Sequence, residues 1–394
     1  MIYNRNIWRA RPATIGAAYY GFFWPMVALY APYFNVYLLS LGFSGTQMGI
    51  LAAVFPLFAL AVSPNISAMA DRHGWRLKVL QISLIGWALV LLLYRFPTTF
   101  VPMMLLVVME SAVRSPSLPI ADGLIARMAM RHNLNFGGMR LWGSLGFAAV
   151  SIISGLIWER TGYSLMFVAA AIAVLPALFM ARRLEEGETA VGNGRRSARF
   201  LLQDKGILIL IISAFFLGMA QFSAFVFISV YMKHLGGTDA HIGLLFGLSA
   251  LAEVPVMRYS GTIFQKLQGP RTLLLAMIIL FFSMLGNALA WSPLMLIVIN
   301  SVRGVGYGLL IVVMVQLLNE RAPDGWNSTA QSMFQAAFLG LAPLLTSALN
   351  GRIYDLWGGS LLFGLMTAVI GFSIILLLLA MRRDWFAPHI WQYE

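Results

Sequence analysis

The sequence predicts an all-α polytopic membrane protein with twelve transmembrane helices in two six-helix halves. Of its 394 residues, 60% are hydrophobic and 11% are charged, whereas soluble proteins contain about 25% charged residues. The apolar runs are continuous and close to the roughly 20 residues that a helix needs to cross a bilayer. Outer-membrane barrels instead show alternating segments of about ten residues. Two segments of the first half also recur in the second half, which indicates a duplication.

Twelve apolar windows are the candidate transmembrane helices. A polar stretch at residues 182–205, which contains EEGETAVGNGRRSAR, separates the first six windows from the last six. No apolar period runs through this stretch, so we predict a flexible cytoplasmic linker there. The predicted halves are residues 1–181 and 206–394. The windows lie near residues 13–39, 46–67, 77–94, 99–127, 140–158, 163–181, 206–232, 240–260, 272–291, 293–318, 328–350 and 360–381.

The Lys and Arg residues are distributed unevenly between the two sides of the predicted membrane. With the N-terminus inside, 19 of the 27 fall in cytoplasmic segments, four fall outside, and four lie within or at the ends of spans. Such an excess of Lys and Arg in cytoplasmic loops sets the orientation of membrane proteins. We therefore expect a multi-pass protein of the cytoplasmic (inner) membrane with both termini inside. Its formal charge of +12 would face anionic lipids, so nucleic acid is not expected as a partner.

The residues that commonly carry enzyme chemistry form no recognisable pattern. The chain has no cysteine, which excludes disulfides, thiolate catalysis and Cys-ligated metal. Nothing resembles a zinc site or a nucleophile triad, and GVGYG (304–308) is typical of a small-residue packing run, not of a phosphate-binding loop. We expect no cofactor, no metal and no enzymatic activity.

Two pairs of matching segments define the internal repeat. LGFSGTQMGIL (41–51) matches LGGTDAHIGLL (235–245), which places Gly49 and Gly243 in equivalent positions 194 residues apart. SGLIWERTGYSLMF (154–167) matches NGRIYDLWGGSLLF (350–363), with Glu159 and Asp355 equivalent and 196 residues apart. Duplicated six-helix halves are typical of secondary transporters, which rock around a binding site near the middle of the membrane.

The segment SAMADRHGWRLK (67–78) links spans 2 and 3. It resembles the loop of the major facilitator superfamily that runs Gly-x-Leu-Ala-Asp-Arg-x-Gly-Arg-Arg, with matches at Asp71, Arg72, Gly74 and Arg76. An acid at a helix end can accept hydrogen bonds from helix N-termini and pair with an arginine. The resemblance therefore implies a gating latch made by Asp71, Arg72 and Arg76. The alternative is a charged turn that only obeys the positive-inside rule.

The N-terminal half as a whole resembles the lactose-permease-like group of that superfamily, which includes oligosaccharide and nucleoside proton symporters and phenylpropionate-type permeases. The resemblance is carried by ALYAPYFNVYL in span 1, SPSLPIAD in span 4 and NFGGMRLWGSLGF entering span 5. It implies the major facilitator fold and transport by alternating access. In the lactose permease a span-4 carboxylate and a span-5 arginine, eighteen positions apart, hold the sugar, and Asp122 and Arg140 have that spacing here.

The chemistry of Asp122 and Arg140 agrees with this assignment. A charge within a membrane span costs at least about 2.5–3.5 kcal/mol, so it is rarely retained without a partner or a wet cavity. A carboxylate accepts from hydroxyl groups and a guanidinium donates to them, which suits a hydroxylated solute. Ser144 and Phe147 continue the face of Arg140 at helical spacing, and Phe147 falls where the sugar permease has a stacking Trp. The alternative is a structural ion pair that braces two helices.

Span 4 also contains Glu110 and Arg114, which are four residues apart and can pair within one helix. A brace is the expected role, with proton exchange by Glu110 as the alternative. Pro116 and Pro119 interrupt the helix between this pair and Asp122. In span 1, Tyr30 is a candidate for the lining of a substrate cavity.

In the C-terminal half, Glu253 in span 8 and Arg303 in span 10 are the isolated charges. Burial and Arg303 favour opposite protonation states of Glu253, so this acid can take up and release one proton, or can simply brace Arg303. No histidine lies in the centre of a span, so the familiar histidine-based proton machinery is absent. Tyr307 in span 10 and Gln335 in span 11 are further candidate contacts for a polar solute.

These observations predict a secondary active transporter for a small polar organic solute such as a nucleoside or sugar. We expect proton coupling, a monomeric protein, and substrate contacts from Asp122, Arg140, Ser144 and Phe147. An aromatic or other organic carboxylate is the alternative substrate, because Arg140 and Arg303 can both bind an anion. A transporter-like receptor or a lipid flippase is the alternative of another class.

Overall fold

The computed structural model describes residues 5–186, 198–323 and 326–387, and within these ranges it describes side chains from residue 12 onward except for 198–199, 260–262 and 265. Residues 187–197 of the predicted linker lie outside these ranges. Within them the regular secondary structure is helical. A short 3₁₀ helix, Ala198–Gln203, precedes the second half. A π-helical turn, Ala336–Leu341, directly follows the helix Asn327–Gln335. The helices are α1 Arg5–Ser40, α2 Gly45–Ala61, α3 Ser63–His73, α4 Arg76–Leu93, α5 Phe100–Arg114, α6 Ser117–His132, α7 Phe136–Thr161, α8 Met166–Ala181, α9 Lys205–His234, α10 Asp239–Leu267, α11 Gly269–Ala288, α12 Pro293–Arg321, α13 Asn327–Gln335 and α14 Ala342–Arg382.

The helices account for the predicted transmembrane spans. Ten helical stretches of the described residues are long and apolar enough to cross a membrane, and Met166–Ala181 is a shorter apolar helix. One of the ten, Asn327–Arg382, contains two predicted spans, because Gly358 interrupts it with φ 75°. Positive φ is accessible to glycine without a steric penalty, so the chain can turn there. The protein is a multi-pass membrane protein.

The predicted break in span 4 is present in the structure. The helix stops at Arg114 and a new one, α6, starts at Ser117, so Pro116 lies in the turn between them. Proline has no N–H to donate and its ring clashes with the preceding turn of a helix. As a result Glu110 and Asp122, which lie on opposite sides of the break, belong to separate helices.

The chain folds into two compact units. Unit 1 contains Met1–Phe43, Leu57–Gly192 and Thr238–Ala250. Unit 2 contains Ser44–Pro56, Asn193–Gly237 and Leu251–Glu394. Relative to the halves predicted from the sequence, each unit therefore includes one short helical segment from the other half.

The exchanged segments are those of the sequence repeat, and they make equivalent contacts in the two units. In unit 2, Asp355 accepts hydrogen bonds from the backbone N–H of Gly45 at 2.6 Å and of Thr46 at 2.8 Å, at the start of α2. In unit 1, Glu159 accepts from the N–H of Ala240 at 3.1 Å, at the start of α10. The first turn of a helix has unpaired N–H groups, which such carboxylates satisfy.

Glycines bring the same helices into close contact. A Cβ at Gly49 would overlap the carbonyl oxygen of Ser347 in unit 2. At the equivalent position in unit 1, a Cβ at Gly243 would overlap the carbonyl oxygen of Ser151. Small residues allow the backbones of membrane helices to approach in this way. In each unit the acid and the glycine of the repeat belong to the same contact between two helices, which explains why both are present in each copy.

Asp355→Ala is expected to destabilise the protein by about 1 kcal/mol, because it leaves the first N–H groups of α2 without their acceptor. A thermal melt of the detergent-solubilised protein measures this effect. Arg352→Ala is the control, since Arg352 is exposed and lies three positions earlier. Equal melting temperatures for the Asp355 variant and the wild type would contradict the prediction.

Candidate substrate-binding site

The turn between α6 and α7 positions Asp122 and Arg140. Asn133 ends α6 in the left-handed conformation with φ 50°, and Asn135 begins α7 by accepting from the N–H of Gly138 at 3.0 Å. Asn tolerates the left-handed region and is a favoured helix N-cap. These local preferences fold the two helices back, so that Arg140 Nη1 lies 3.6 Å from Asp122 Oδ2.

The Asp122–Arg140 pair is open on one side. The distance of 3.6 Å is too long for a hydrogen bond, and the side chains of Arg140 and Asp122 are 49% and 28% exposed. Asp122 is held instead by Tyr20 of α1, whose hydroxyl donates to Oδ1 at 2.5 Å. The guanidinium therefore retains donors that can reach a ligand, and the carboxylate retains an acceptor oxygen beside them.

Ser144 and Phe147 lie four and seven residues after Arg140 on α7, and both are half-buried. The ring of Phe147 meets Trp24 of α1 edge to face, with the ring centroids 6.4 Å apart. Together these residues, Asp122 and Arg140 form one polar and aromatic surface within unit 1. Sequence reasoning missed Tyr20 and Trp24, although their four-residue spacing on one helix was a usable signal.

Tyr30, predicted to line a cavity, belongs to a separate group that we call the Glu110 cluster: Glu110, Arg114, Tyr30, Trp87 and Tyr94. Glu110 is 7% exposed and accepts from four donors: Tyr30 at 2.7 Å, Trp87 Nε1 at 3.1 Å, Tyr94 at 2.5 Å and Arg114 Nη1 at 3.0 Å. The Arg114 guanidinium also lies over the Trp87 ring, 4.7 Å from its centroid. A carboxylate with this many donors is typical of a structural network.

Arg303 is the centre of a polar cluster in unit 2. It donates to Asn300 Oδ1 at 2.9 Å and to Gln221 Oε1 at 2.9 Å, and Asn300 in turn donates to Asn287 at 2.8 Å. Within the described part of the chain, Arg303 makes no ion pair with Glu253 inside 4.0 Å. Glu253 packs through its backbone against Gly308 of α12, where a Cβ would lie 3.3 Å from the Glu253 Cα. The acid is thus close to α12 without being tied to Arg303.

The structure separates the two remaining candidates of the second half. Tyr307 lies one turn after Arg303, and its ring is 6.3 Å from that of Phe338. Gln335 is exposed at the end of α13. Its neighbour Gln331 donates to Asn319 at 2.8 Å. Gln221, Asn287 and Asn300 were not predicted, because neutral amides in apolar helices stand out less than charges do.

In the predicted gating loop, Asp71 contacts Arg76, and Arg127 of α6 lies 3.8 Å from the same carboxylate. Arg76 is buried, whereas Arg72 is exposed and forms no ion pair with the residues that the structure describes. Glu186 accepts from the N–H groups of Arg76 and Leu77 at 2.8 and 2.9 Å, so it caps α4. This cap could not be predicted from the sequence, because Glu186 lies in the stretch predicted to be a flexible linker.

Comparison with known proteins agrees with this architecture. The profile of the MFS_1 like family matches residues 15–365. Maltose permease of Geobacillus stearothermophilus is 28% identical over 380 residues, which cover 95% of this chain and 96% of that protein. Lactose permease of Citrobacter freundii is 22% identical over 357 residues, which cover 84% and 85%. A crystal structure of the nucleoside transporter NupG has a TM-score of 0.76 at 14% identity, covering 97% of this chain and 99% of that one.

These similarities confirm the predicted fold class and the resemblance on which it rested. The family match extends over most of the chain, so it reaches into both halves and includes the segments that contain Asp122, Arg140, Glu253 and Arg303. The chain therefore belongs to the MFS_1 like family and is a major facilitator superfamily transporter of the lactose-permease-like group.

Proposed function

We propose that the protein is a secondary active transporter that moves a small hydroxylated solute, a sugar or a nucleoside, by alternating access. The observation that carries this proposal is the open Asp122–Arg140 pair, with Arg140 half exposed and 3.6 Å from the acid. A charged pair within membrane helices is costly unless it faces a partner or a water-filled cavity. The name of the maltose permease, 28% identical over 95% of the chain, supports a sugar.

The pair has the chemistry that a hydroxylated solute requires. The carboxylate of Asp122 accepts from hydroxyl groups, and the fork of Arg140 donates to ring or hydroxyl oxygens. Ser144 adds a hydroxyl that both donates and accepts. An organic carboxylate is the second candidate substrate, because neither Arg140 nor Arg303 is held by an acid within hydrogen-bond distance.

Uptake into proteoliposomes tests the proposal. The panel consists of maltose, lactose, uridine and phenylacetate, each measured with and without an inward pH gradient. We expect uptake of a sugar or uridine that exceeds diffusion and is competed by unlabelled solute. Uptake of phenylacetate alone would establish the second candidate. Binding of a solute without flux would indicate a receptor, and absence of both with lipid translocation would indicate a flippase.

Glu253 is the proposed proton carrier. Glu253→Gln is expected to spare exchange of labelled for unlabelled solute and to abolish accumulation driven by a pH gradient, because an amide cannot load and release a proton. Glu320→Gln is the control, since Glu320 is exposed near the end of α12. A Glu253→Gln variant that still concentrates solute would contradict the assignment.

The proposed orientation rests on the distribution of Lys and Arg: the protein lies in the inner membrane with both termini in the cytoplasm and its basic loops near anionic lipids. We also propose that it functions as a monomer. Asp71 and Arg76 form the proposed latch of the loop between α3 and α4. Protease cleavage of a C-terminal tag in inside-out but not right-side-out vesicles would support this orientation.

A further inference from the structure

Trp24 of α1 packs against α7, the helix that carries Arg140. It follows Tyr20 by one turn of α1, so the two side chains lie on the same side of that helix. The hydroxyl of Tyr20 donates to Asp122 at 2.5 Å. The side of α1 that presents Trp24 is therefore the side that contacts the Asp122–Arg140 pair.

The indole of Trp24 rests directly on the backbone of α7. A Cβ at Gly143 would overlap Trp24 Cδ1 and would lie 3.1 Å from Nε1. Gly143 is three residues after Arg140 and directly precedes Ser144. One turn further along α7, the ring of Phe147 meets Trp24 edge to face, with 6.4 Å between the ring centroids. The indole thus packs on the stretch of α7 that follows Arg140.

The indole N–H of Trp24 is an unused donor. It makes no hydrogen bond to the residues that the structure describes and is not among their fully buried polar atoms. Two other indoles of unit 1 are paired: Trp87 donates to Glu110 at 3.1 Å, and Trp158 donates to the carbonyl of Leu29 at 2.9 Å. Trp24 is half-buried and its Nε1 keeps some exposed area, so an acceptor on a ligand can reach this donor. Since tryptophan N–H groups within a protein usually have a partner, the free donor indicates a position for a ligand on this side of α1.

We infer that Trp24 contacts the solute directly and selects a carbohydrate ring. The apolar C–H face of such a ring packs on the indole, and a ring hydroxyl accepts from Nε1–H. The remaining hydroxyls reach Asp122 and Arg140, which offer one acceptor and several donors. This inference rests on the proposed function, since it assumes that the Asp122–Arg140 surface binds the transported solute.

Binding of maltose to purified wild type and three variants tests the inference. Isothermal titration gives the affinity, and tryptophan emission reports on the indole itself. Trp24→Phe is expected to weaken maltose binding roughly tenfold, since it removes one hydrogen bond and part of the ring surface. It should also abolish the maltose-dependent change in emission, which a merely structural role would not do. Trp24→Ala should weaken binding on the order of 100-fold.

Trp142→Phe is the matched control, because Trp142 adjoins Gly143 in the chain but is 57% exposed. It should leave both readouts unchanged.

A Trp24→Phe variant with the affinity and the emission change of the wild type would overturn the inference while the proposed function stood. Binding of uridine but not maltose by the wild type would overturn the carbohydrate assignment. Binding of no member of the panel by the wild type would overturn the proposed function itself. If Trp24→Ala does not fold, Trp24→Phe decides, since it keeps an aromatic ring against Phe147.

Discussion

Arg140→Ala is expected to lower the affinity for the transported solute at least about 100-fold and to leave the protein folded. Hydrogen bonds to charged groups contribute about 1.5–3 kcal/mol each, and the guanidinium fork can make two of them. A loss of about 1.4 kcal/mol is a factor of ten in affinity. The fold should tolerate the change, because Arg140 is half exposed and makes only a 3.6 Å contact with Asp122. Titration calorimetry with maltose, alongside a thermal melt, measures both effects.

Two further variants separate charge from geometry at this position. Arg140→Lys keeps the charge but loses the planar fork, so its affinity should fall between those of the alanine variant and the wild type. Arg131→Ala removes an exposed arginine of α6 that pairs with Glu185 at 3.3 Å, and it should bind normally. An Arg140→Ala protein that binds normally but melts earlier would show that the pair is a structural brace.

Glu110→Ala is expected to destabilise the protein by about 3–5 kcal/mol, the usual result of removing one partner from a buried ion pair. Glu110 is the common acceptor of four donors, and Arg114 would keep its charge without the carboxylate that balances it. The measurement is the melting temperature and the yield of monodisperse protein in detergent.

Tyr94→Phe provides a graded comparison, because it removes only one donor and should cost about 1 kcal/mol. Proton exchange by Glu110 would give a different experimental result. If Glu110→Ala melted like the wild type and lost only the accumulation driven by a pH gradient, Glu110 would be a proton-exchanging group and the network would not be structural.

The fold and the position of the charged pair were accessible from the sequence for clear physical reasons. Charges in apolar runs are rare, so Asp122 and Arg140 stood out. Their spacing of eighteen positions, from span 4 to span 5, predicted that they pair, and the structure places the two side chains 3.6 Å apart. The break at Pro116 was predictable as well, because proline cannot continue the hydrogen-bond ladder of a helix.

The aromatic residues were less predictable. Tyr30 was expected in a substrate cavity, yet it donates to Glu110 at 2.7 Å and is 3% exposed. Trp24, six residues earlier on the same helix, packs instead against Gly143 and Phe147 of the helix that carries Arg140. The side of an apolar helix that faces a given neighbour depends on packing. Here Trp24 fits against α7 because Gly143 has no side chain. A helix that is apolar on all sides shows no periodic pattern from which this orientation can be predicted.

Contacts between residues far apart in the chain could not be predicted from the sequence either. The repeat predicted equivalent roles for Glu159 and Asp355, but not that each would accept from the first N–H groups of another helix. Arg303 and Glu253 were expected to interact directly. Arg303 instead donates to Gln221 and Asn300. Their amide oxygens accept hydrogen bonds from a guanidinium as carboxylate oxygens do.

A structure of the protein with maltose bound tests most directly whether the Asp122–Arg140 pair holds cargo. We predict sugar hydroxyls within hydrogen-bond distance of both the Asp122 carboxylate and the Arg140 guanidinium, with the sugar ring against Trp24. Sugar bound elsewhere, with Asp122 and Arg140 closed into a direct bidentate ion pair, would contradict the account.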